Sequence, residues 1–124
     1  MPRFYLATGA IAAGIAVAAG AFGAHWLAEH VSSARLNTFE TAVRYQMYHA
    51  LALLFVGWAV FQWPVWQLSW AGYFFLSGIV LFSGSLYALV LTDTPWLGAI
   101  TPLGGVAFIV GWALVVWAVL GQEA

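Results

Sequence analysis

The stretch N-T-F-E-T-A-V-R-Y-Q-M-Y-H-A-L-A-L-L, residues 37–54, decides how the rest of the chain is interpreted. It begins with polar residues typical of a helix start and ends as a continuous apolar run. Between these ends lie Glu40, Arg44, Gln46 and His49, in a chain that otherwise carries little charge. Both the fold and the candidate site therefore depend on where this helix lies.

The composition limits the class of protein. The chain has 124 residues, which we take as a single domain over 1–124, and 65% of them are hydrophobic while 6% are charged. A soluble domain of this size cannot bury so much apolar surface, which excludes a water-soluble monomer. The net charge of −1 gives no reason to expect nucleic acid as a partner. Because the chain has no cysteine, disulfides, thiolate catalysis and thiolate metal sites are excluded.

Four apolar segments are long enough to cross a bilayer, which takes about 20 residues. They lie at about residues 4–26, 38–61, 66–91 and 96–120. Helices satisfy their own backbone groups in lipid. We therefore predict an all-α, multi-pass integral membrane protein with four transmembrane helices in a compact bundle. The first segment exceeds the apolar core of a usual signal peptide, so we expect it to be retained.

The polar connection between the first two helices predicts an interfacial helical segment. Asn37 is a candidate N-cap, with Glu40 three residues later as in a capping box. Small residues recur every four positions in helix one, which permits close helix approach in lipid. The two rows are Ala10, Gly14 and Ala18, and Ala12, Ala16 and Gly20. Helix one is then either the packed centre of the bundle or a homodimer face.

Glu40, Arg44 and His49 carry the chemistry of helix two. Glu40 and Arg44 are four residues apart with the acid first, the favourable order for an ion pair. The pair is either an interfacial anchor or a charged site that faces the bundle interior. His49 lies deeper and needs a hydrogen-bond partner on another helix. The candidate partners on helix three are Ser83, Ser85 and Tyr87. His49 is either a structural residue or a group that handles protons or ions.

The stretch T-P-L-G-G, residues 101–105, predicts a kink at Pro102 or a broken-helix binding site. In a four-span order, the starts of helices two and four lie on the same side of the membrane. We therefore predict a polar mouth, with Asp93 nearby, formed by His25, Glu40, Arg44, Tyr45, Tyr48, His49 and Thr101. The three histidines lack metal-ligand spacing, and no nucleophile motif occurs. We expect no metal, no cofactor, no catalytic residue and no enzymatic activity.

Four blocks resemble one known family. They are G-A-F-G-A-H at 20–25, F-E-T-A-V-R-Y-Q-M-Y-H-A-L-A-L-L at 39–54, S-G-S-L-Y at 83–87 and L-G-A-I-T-P-L-G-G-V-A-F at 97–108. The chain resembles the YgdD-like family, known as domain of unknown function 423, whose eukaryotic relatives are called transmembrane protein 256. The resemblance covers nearly the whole chain. It implies a multi-pass protein of the inner (cytoplasmic) membrane and carries no established activity.

Together these features predict a non-enzymatic structural or accessory component of a membrane assembly. Its expected partners are the lipid bilayer and either further copies of itself or a larger membrane complex. The alternative is a protein that binds or transports a small ion, a proton or a lipid through the polar mouth around Glu40, Arg44 and His49.

Overall fold

Residues 2–122, which the computed structural model describes, form helices joined by short connections. The α-helices in this range are α1 (Pro2–His25), α2 (Ser33–Gln62), α3 (Trp66–Gly78), α4 (Gly84–Thr92) and α5 (Thr101–Gly121). A π-helical turn, Ile79–Ser83, joins α3 to α4 without a break. Two short 3-10 turns, Leu27–Glu29 and Pro95–Ala99, follow α1 and precede α5. The predicted all-helical class is therefore confirmed.

The central helix is α2, which contacts α1 along its length and also packs on α3, the π turn and α4. Helix α5 packs on α3 and the π turn, and Leu53, Val56 and Phe75 lie fully buried between these elements. Helix α1 packs mainly on α2 and reaches α3 through the buried Tyr5, whose hydroxyl donates to the carbonyl oxygen of Ser69 at 2.6 Å. Of the two alternatives for helix one, the packed centre is therefore wrong, because α2 occupies that place. One of its two predicted rows of small residues is used in the contact with α2.

The contact between α1 and α2 is close because small residues line it. A Cβ atom added to Gly9 would lie 2.9 Å from the carbonyl oxygen of Ala50. Ala12 and Ala16 are buried in the same interface, whereas the other row, Ala10, Gly14 and Ala18, is exposed. Packing at this distance maximises van der Waals contact, which drives helix association in lipid. The spacing of small residues was informative, but it did not tell which row faces the bundle.

Helix α2 starts earlier than predicted. Its N-cap is Ser32, whose Oγ atom accepts a hydrogen bond from the backbone N–H of Arg35 at 3.2 Å. Asn37, the predicted cap, lies inside the helix. The separate interfacial helical segment expected before helix two is therefore the first turns of α2 itself, preceded by the 3-10 turn Leu27–Glu29. Serine is as good an N-cap as asparagine, so the cap chemistry alone did not decide between the two.

Three helical segments in the described range are long and apolar enough to cross a membrane, not four. They are Pro2–Glu29, Trp66–Thr92 and Pro95–Gly121. Helix α2 is long enough, with 30 residues. The polar side chains of Arg44, Gln46 and His49 reduce its mean hydropathy, so its composition is less apolar than that of the three spans.

The predicted kink at Pro102 is not formed, because α5 begins at Thr101 and Pro102 occupies its first turn. The backbone N–H that proline lacks has no helical partner at that position in any case. Of the two glycines that follow, Gly104 serves packing, since a Cβ atom there would clash with the backbone of Phe82. Irregular backbone lies just before α5, in the 3-10 turn Pro95–Ala99, and also in the π turn Ile79–Ser83, which no feature of the sequence indicated.

Candidate functional site

His49 links α2 to α5. Its Nε2 atom accepts a hydrogen bond from the indole N–H of Trp112 at 3.0 Å. Indole is a donor only, so Nδ1 must carry the ring proton, and it donates to the carbonyl oxygen of Tyr45 at 2.8 Å. The ring also stacks on Phe108, with centroids 3.6 Å apart. Both ring nitrogens of this buried histidine are therefore in use, in the neutral form.

The predicted partners of His49 were wrong, because Ser83, Ser85 and Tyr87 bond elsewhere. The true partner, Trp112, is 63 positions away in the chain. A signal for it existed: Trp112 lies within α5 and not at its end, and an indole N–H in lipid needs an acceptor.

Gln46 joins three helices. Its amide nitrogen donates to the carbonyl oxygen of Ala12 in α1 at 2.8 Å, and its amide oxygen accepts from the Tyr87 hydroxyl of α4 at 2.7 Å. The side chain is only 4% exposed. Gln46 was not among the predicted site residues, although it lies in the stretch that contains most of them. An amide in an apolar helix has donors and an acceptor to satisfy, which was the available signal.

Two serines near the π turn complete the buried polar set. The Ser83 hydroxyl donates to the carbonyl oxygen of Ala42 at 2.7 Å. Ser85 and Thr101 share a hydrogen bond of 2.7 Å between their hydroxyl groups, which ties α4 to the start of α5. We call Gln46, His49, Ser83 and Ser85 the buried polar set, since they are the buried polar residues of the described chain. Thr101 thus contacts this set and not a solvent-filled mouth.

Glu40 and Arg44 do not form the predicted ion pair. A guanidinium nitrogen of Arg44 donates to the Thr41 hydroxyl at 3.2 Å, and both charged side chains are exposed. The ion pair found in residues 2–122 joins Arg35 to Asp93 at 3.0 Å, between the first turn of α2 and the turn after α4. Asp93 adopts a left-handed backbone conformation there, with φ of 51°.

Glu40 and Arg44 line a groove of about 310 Å³ between α1 and α2. Its other lining residues are Gly20, Gly23, Ala24, Phe39 and Val43. His25 is exposed at the last position of α1 and is not part of this lining. We call this space the α1–α2 groove.

The predicted polar mouth is divided into separate environments. Tyr45 and Tyr48 are exposed, with their rings edge to face at 5.6 Å, and Tyr45 also contacts Phe82 at 4.8 Å. His49 and Thr101 are engaged inside the bundle, while Glu40 and Arg44 face the α1–α2 groove. In residues 2–122 no three His, Asp or Glu side chains are grouped so that they could hold a metal ion. The arrangement supplies fixed links between helices, and it leaves Glu40 and Arg44 at the α1–α2 groove.

Comparison with known proteins identifies the family. The model of "Protein of unknown function (DUF423)" matches residues 19–105. A UPF0382 membrane protein of Staphylococcus aureus (strain bovine RF122 / ET3-1) is 47% identical over 114 residues, covering 92% of this chain and 93% of the relative. The UPF0382 membrane protein YwdK of Bacillus subtilis (strain 168) is 46% identical over 115 residues, covering 92% and 94%. No solved structure matches the chain. The match confirms the resemblance seen in the four sequence blocks, and the chain belongs to the DUF423 family of membrane proteins.

Proposed function

We propose that the protein is a non-enzymatic structural or accessory component of a membrane assembly. The observation that supports this proposal is the use of the buried polar set. Each of these side chains hydrogen-bonds to a backbone carbonyl or to a side chain of another element. A polar group in lipid is costly unless it is paired, and here the pairs join helices.

A group that handles protons or substrate must be able to exchange partners during the cycle. His49 has both ring nitrogens bonded and is packed against Phe108, and Gln46 uses its amide oxygen and nitrogen on two other helices. Exchange at either residue would break a link between helices. These constraints favour a bundle with a fixed internal arrangement over a transport path through its centre.

The exposed surface supports association with lipid or with another membrane helix. Large apolar side chains are exposed on each long helix, including Ile15, Phe61, Val80 and Ile109. The exposed row of Ala10, Gly14 and Ala18 on α1 has the spacing that allows close helix contact. We therefore propose that this row contacts a second copy or a partner protein.

Native mass spectrometry of protein released gently from its own membrane tests the proposal. We expect complexes above the 13.4 kDa monomer, either homo-oligomers or assemblies with a second protein. The variant Gly14→Leu should reduce them without unfolding the bundle, since a Cβ atom at Gly14 meets nothing within 4 Å. Ala113→Leu, at an exposed position of α5, is the matched control. A monomer that carries one stoichiometric metabolite or metal would contradict the accessory role.

We also propose that α2 crosses the membrane, giving four crossings in the inner membrane. Thirty helical residues extend for about 45 Å, which exceeds the roughly 30 Å hydrocarbon core. The buried partners of Gln46 and His49 remove the main cost of placing this helix in lipid. The chain lacks cysteine, so single cysteines at Ser32 and Pro64 can be labelled with an impermeant maleimide. Four crossings predict labelling from opposite sides; labelling from one side contradicts the proposal.

A further inference from the structure

We propose that the α1–α2 groove binds the headgroup of a zwitterionic aminophospholipid such as phosphatidylethanolamine. In this assignment Arg44 contacts the phosphate and Glu40 contacts the primary ammonium group. The proposal does not depend on the accessory role, because it concerns the surface of the bundle and not its internal links.

The groove exists because α1 presents small residues to α2 at this level. Gly20 and Gly23 lack side chains, and a Cβ atom on Gly23 would lie 3.1 Å from the ring of Phe39. The ring of Phe39 and the side chain of Val43 give the groove an apolar wall. Its volume of about 310 Å³ lies at the lower end of the range for ligand pockets.

Two opposite charges face this groove without neutralising each other. Arg44 bonds to the Thr41 hydroxyl through one nitrogen, and a guanidinium has five N–H donors, so most of its donors remain available. Glu40 has no hydrogen-bond or ion-pair partner for its carboxylate within residues 2–122. An acid and a base at this spacing, in the favourable order, gain only about 0.2–0.5 kcal/mol by pairing on an isolated helix, so both groups can take up a ligand instead. Their separation around a shared cavity is the observation that indicates a ligand with both charges.

Phosphoethanolamine has the complementary charge distribution. On a helix the Cβ atoms of residues four apart stand roughly 5–6 Å from each other. The longer glutamate and arginine side chains extend from these positions and can converge on the phosphate and the ammonium, which two carbons separate in the headgroup. A guanidinium suits phosphate geometry, and a primary ammonium donates hydrogen bonds to a carboxylate. Choline cannot donate these bonds, and an anionic headgroup without a cation leaves Glu40 repelled.

The depth of the groove agrees with a headgroup. Gly20 lies five residues before His25, the last residue of α1, which is about 7.5 Å along the helix axis. Val17 lies one turn before Gly20 on the same side of α1 and is exposed, so acyl chains can cover it. A lipid would therefore place its charges at Arg44 and Glu40 and its chains along the apolar bundle.

The test is native mass spectrometry of delipidated full-length protein offered an equimolar mixture of phosphatidylethanolamine, phosphatidylcholine and phosphatidylglycerol. We expect preferential retention of phosphatidylethanolamine. Glu40→Gln should remove the preference over phosphatidylcholine, a change of about tenfold for a charge-assisted hydrogen bond. Arg44→Gln should weaken all three lipids, because each has a phosphate. Equal retention of the three lipids by the unaltered protein, or preference for phosphatidylglycerol alone, overturns the proposal.

Matched controls separate the groove from general surface charge. Glu29→Gln and Arg3→Gln each remove an exposed charge outside the groove lining and should leave the preference unchanged. Ala24→Leu fills the groove and keeps both charges, so it should lower retention of phosphatidylethanolamine. Ala24 is exposed, and circular dichroism will verify that each variant is folded. An unchanged lipid preference in folded Glu40→Gln or Ala24→Leu also overturns the proposal.

Discussion

Replacing Gln46 by Leu tests whether the link between three helices stabilises the bundle. The change keeps the side chain at a similar size but removes the acceptor for the Tyr87 hydroxyl and the donor to the Ala12 carbonyl. The Ala12 carbonyl keeps its bond within α1, whereas the Tyr87 hydroxyl loses its partner in a half-buried position. The loss of stability should therefore come mainly from the weakened contact between α2 and α4.

The magnitude follows from the two bonds and the orphaned hydroxyl. Hydrogen bonds between membrane helices contribute about 0.6 kcal/mol each on average and up to about 1.7 kcal/mol. A buried hydroxyl without a partner costs about 1–3 kcal/mol. We therefore expect Gln46→Leu to lower the free energy of unfolding by about 1–3 kcal/mol.

A double-mutant cycle with Tyr87→Phe isolates the bond itself. Tyr87→Phe removes the hydroxyl, so Gln46→Leu in that background should cost less by about 0.6–1.7 kcal/mol. The free energy of unfolding would be measured by titrating a mild detergent with sodium dodecyl sulfate and following circular dichroism. A coupling energy below about 0.3 kcal/mol, the error of additivity between independent sites, would refute the reasoning.

Three further predictions use the same unfolding assay. Trp112→Phe removes the donor to His49 and should cost about 0.6–1.7 kcal/mol; an unchanged stability would mean that the bond is not formed. Gly104→Ala places a methyl group against the Phe82 backbone and should cost about 1–3 kcal/mol or more. Gly14→Ala, with open space around it, should be neutral or stabilising by up to about 1 kcal/mol, and equal effects at the two glycines would contradict the packing described. Ser32→Ala should cost about 0.5–2 kcal/mol as the loss of an N-cap. Asn37→Ala, inside α2, should change stability little, and the opposite ranking would return the helix start to Asn37.

The elements that hydropathy determines were predictable. The apolar segments at 66–91 and 96–120 correspond to the spans Trp66–Thr92 and Pro95–Gly121, because length and composition decide which segments can lie in lipid. The same rule predicted a span at 38–61, but α2 is not among the three segments that are apolar enough to cross a membrane. Its polar residues Gln46 and His49 have partners that only the folded bundle supplies. The composition of one segment carries no information about a hydrogen-bond partner on another helix.

The partners within the site were not predictable for a related reason. In a soluble helix the polar face identifies the rotation of the helix, but a lipid-facing side is as apolar as a core-facing one. The position of Trp112 within α5 indicates that its indole N–H needs an acceptor, but nothing in α5 alone identifies His49 as that acceptor, or Phe82 as the residue on which Gly104 packs. The pairing of Glu40 with Arg44 failed differently: the spacing rule describes an isolated helix, and the groove beside α1 offers these side chains another environment.

The π turn Ile79–Ser83 sets the rotation of α4 relative to α3. A turn closed by bonds to the fifth residue holds one residue more than an α-helical turn, so α4 is rotated by about 100° from the course that α3 would have continued. Deleting one residue from this turn would give a more regular helix and swing Ser85 and Tyr87 away from Thr101 and Gln46. The π turn thus acts as a one-residue insertion, so the continuous helix formed by α3 and α4 turns a different side toward its neighbours before and after the turn. A single helical wheel drawn for α3 and α4 together will therefore assign the buried face wrongly in one of the two helices.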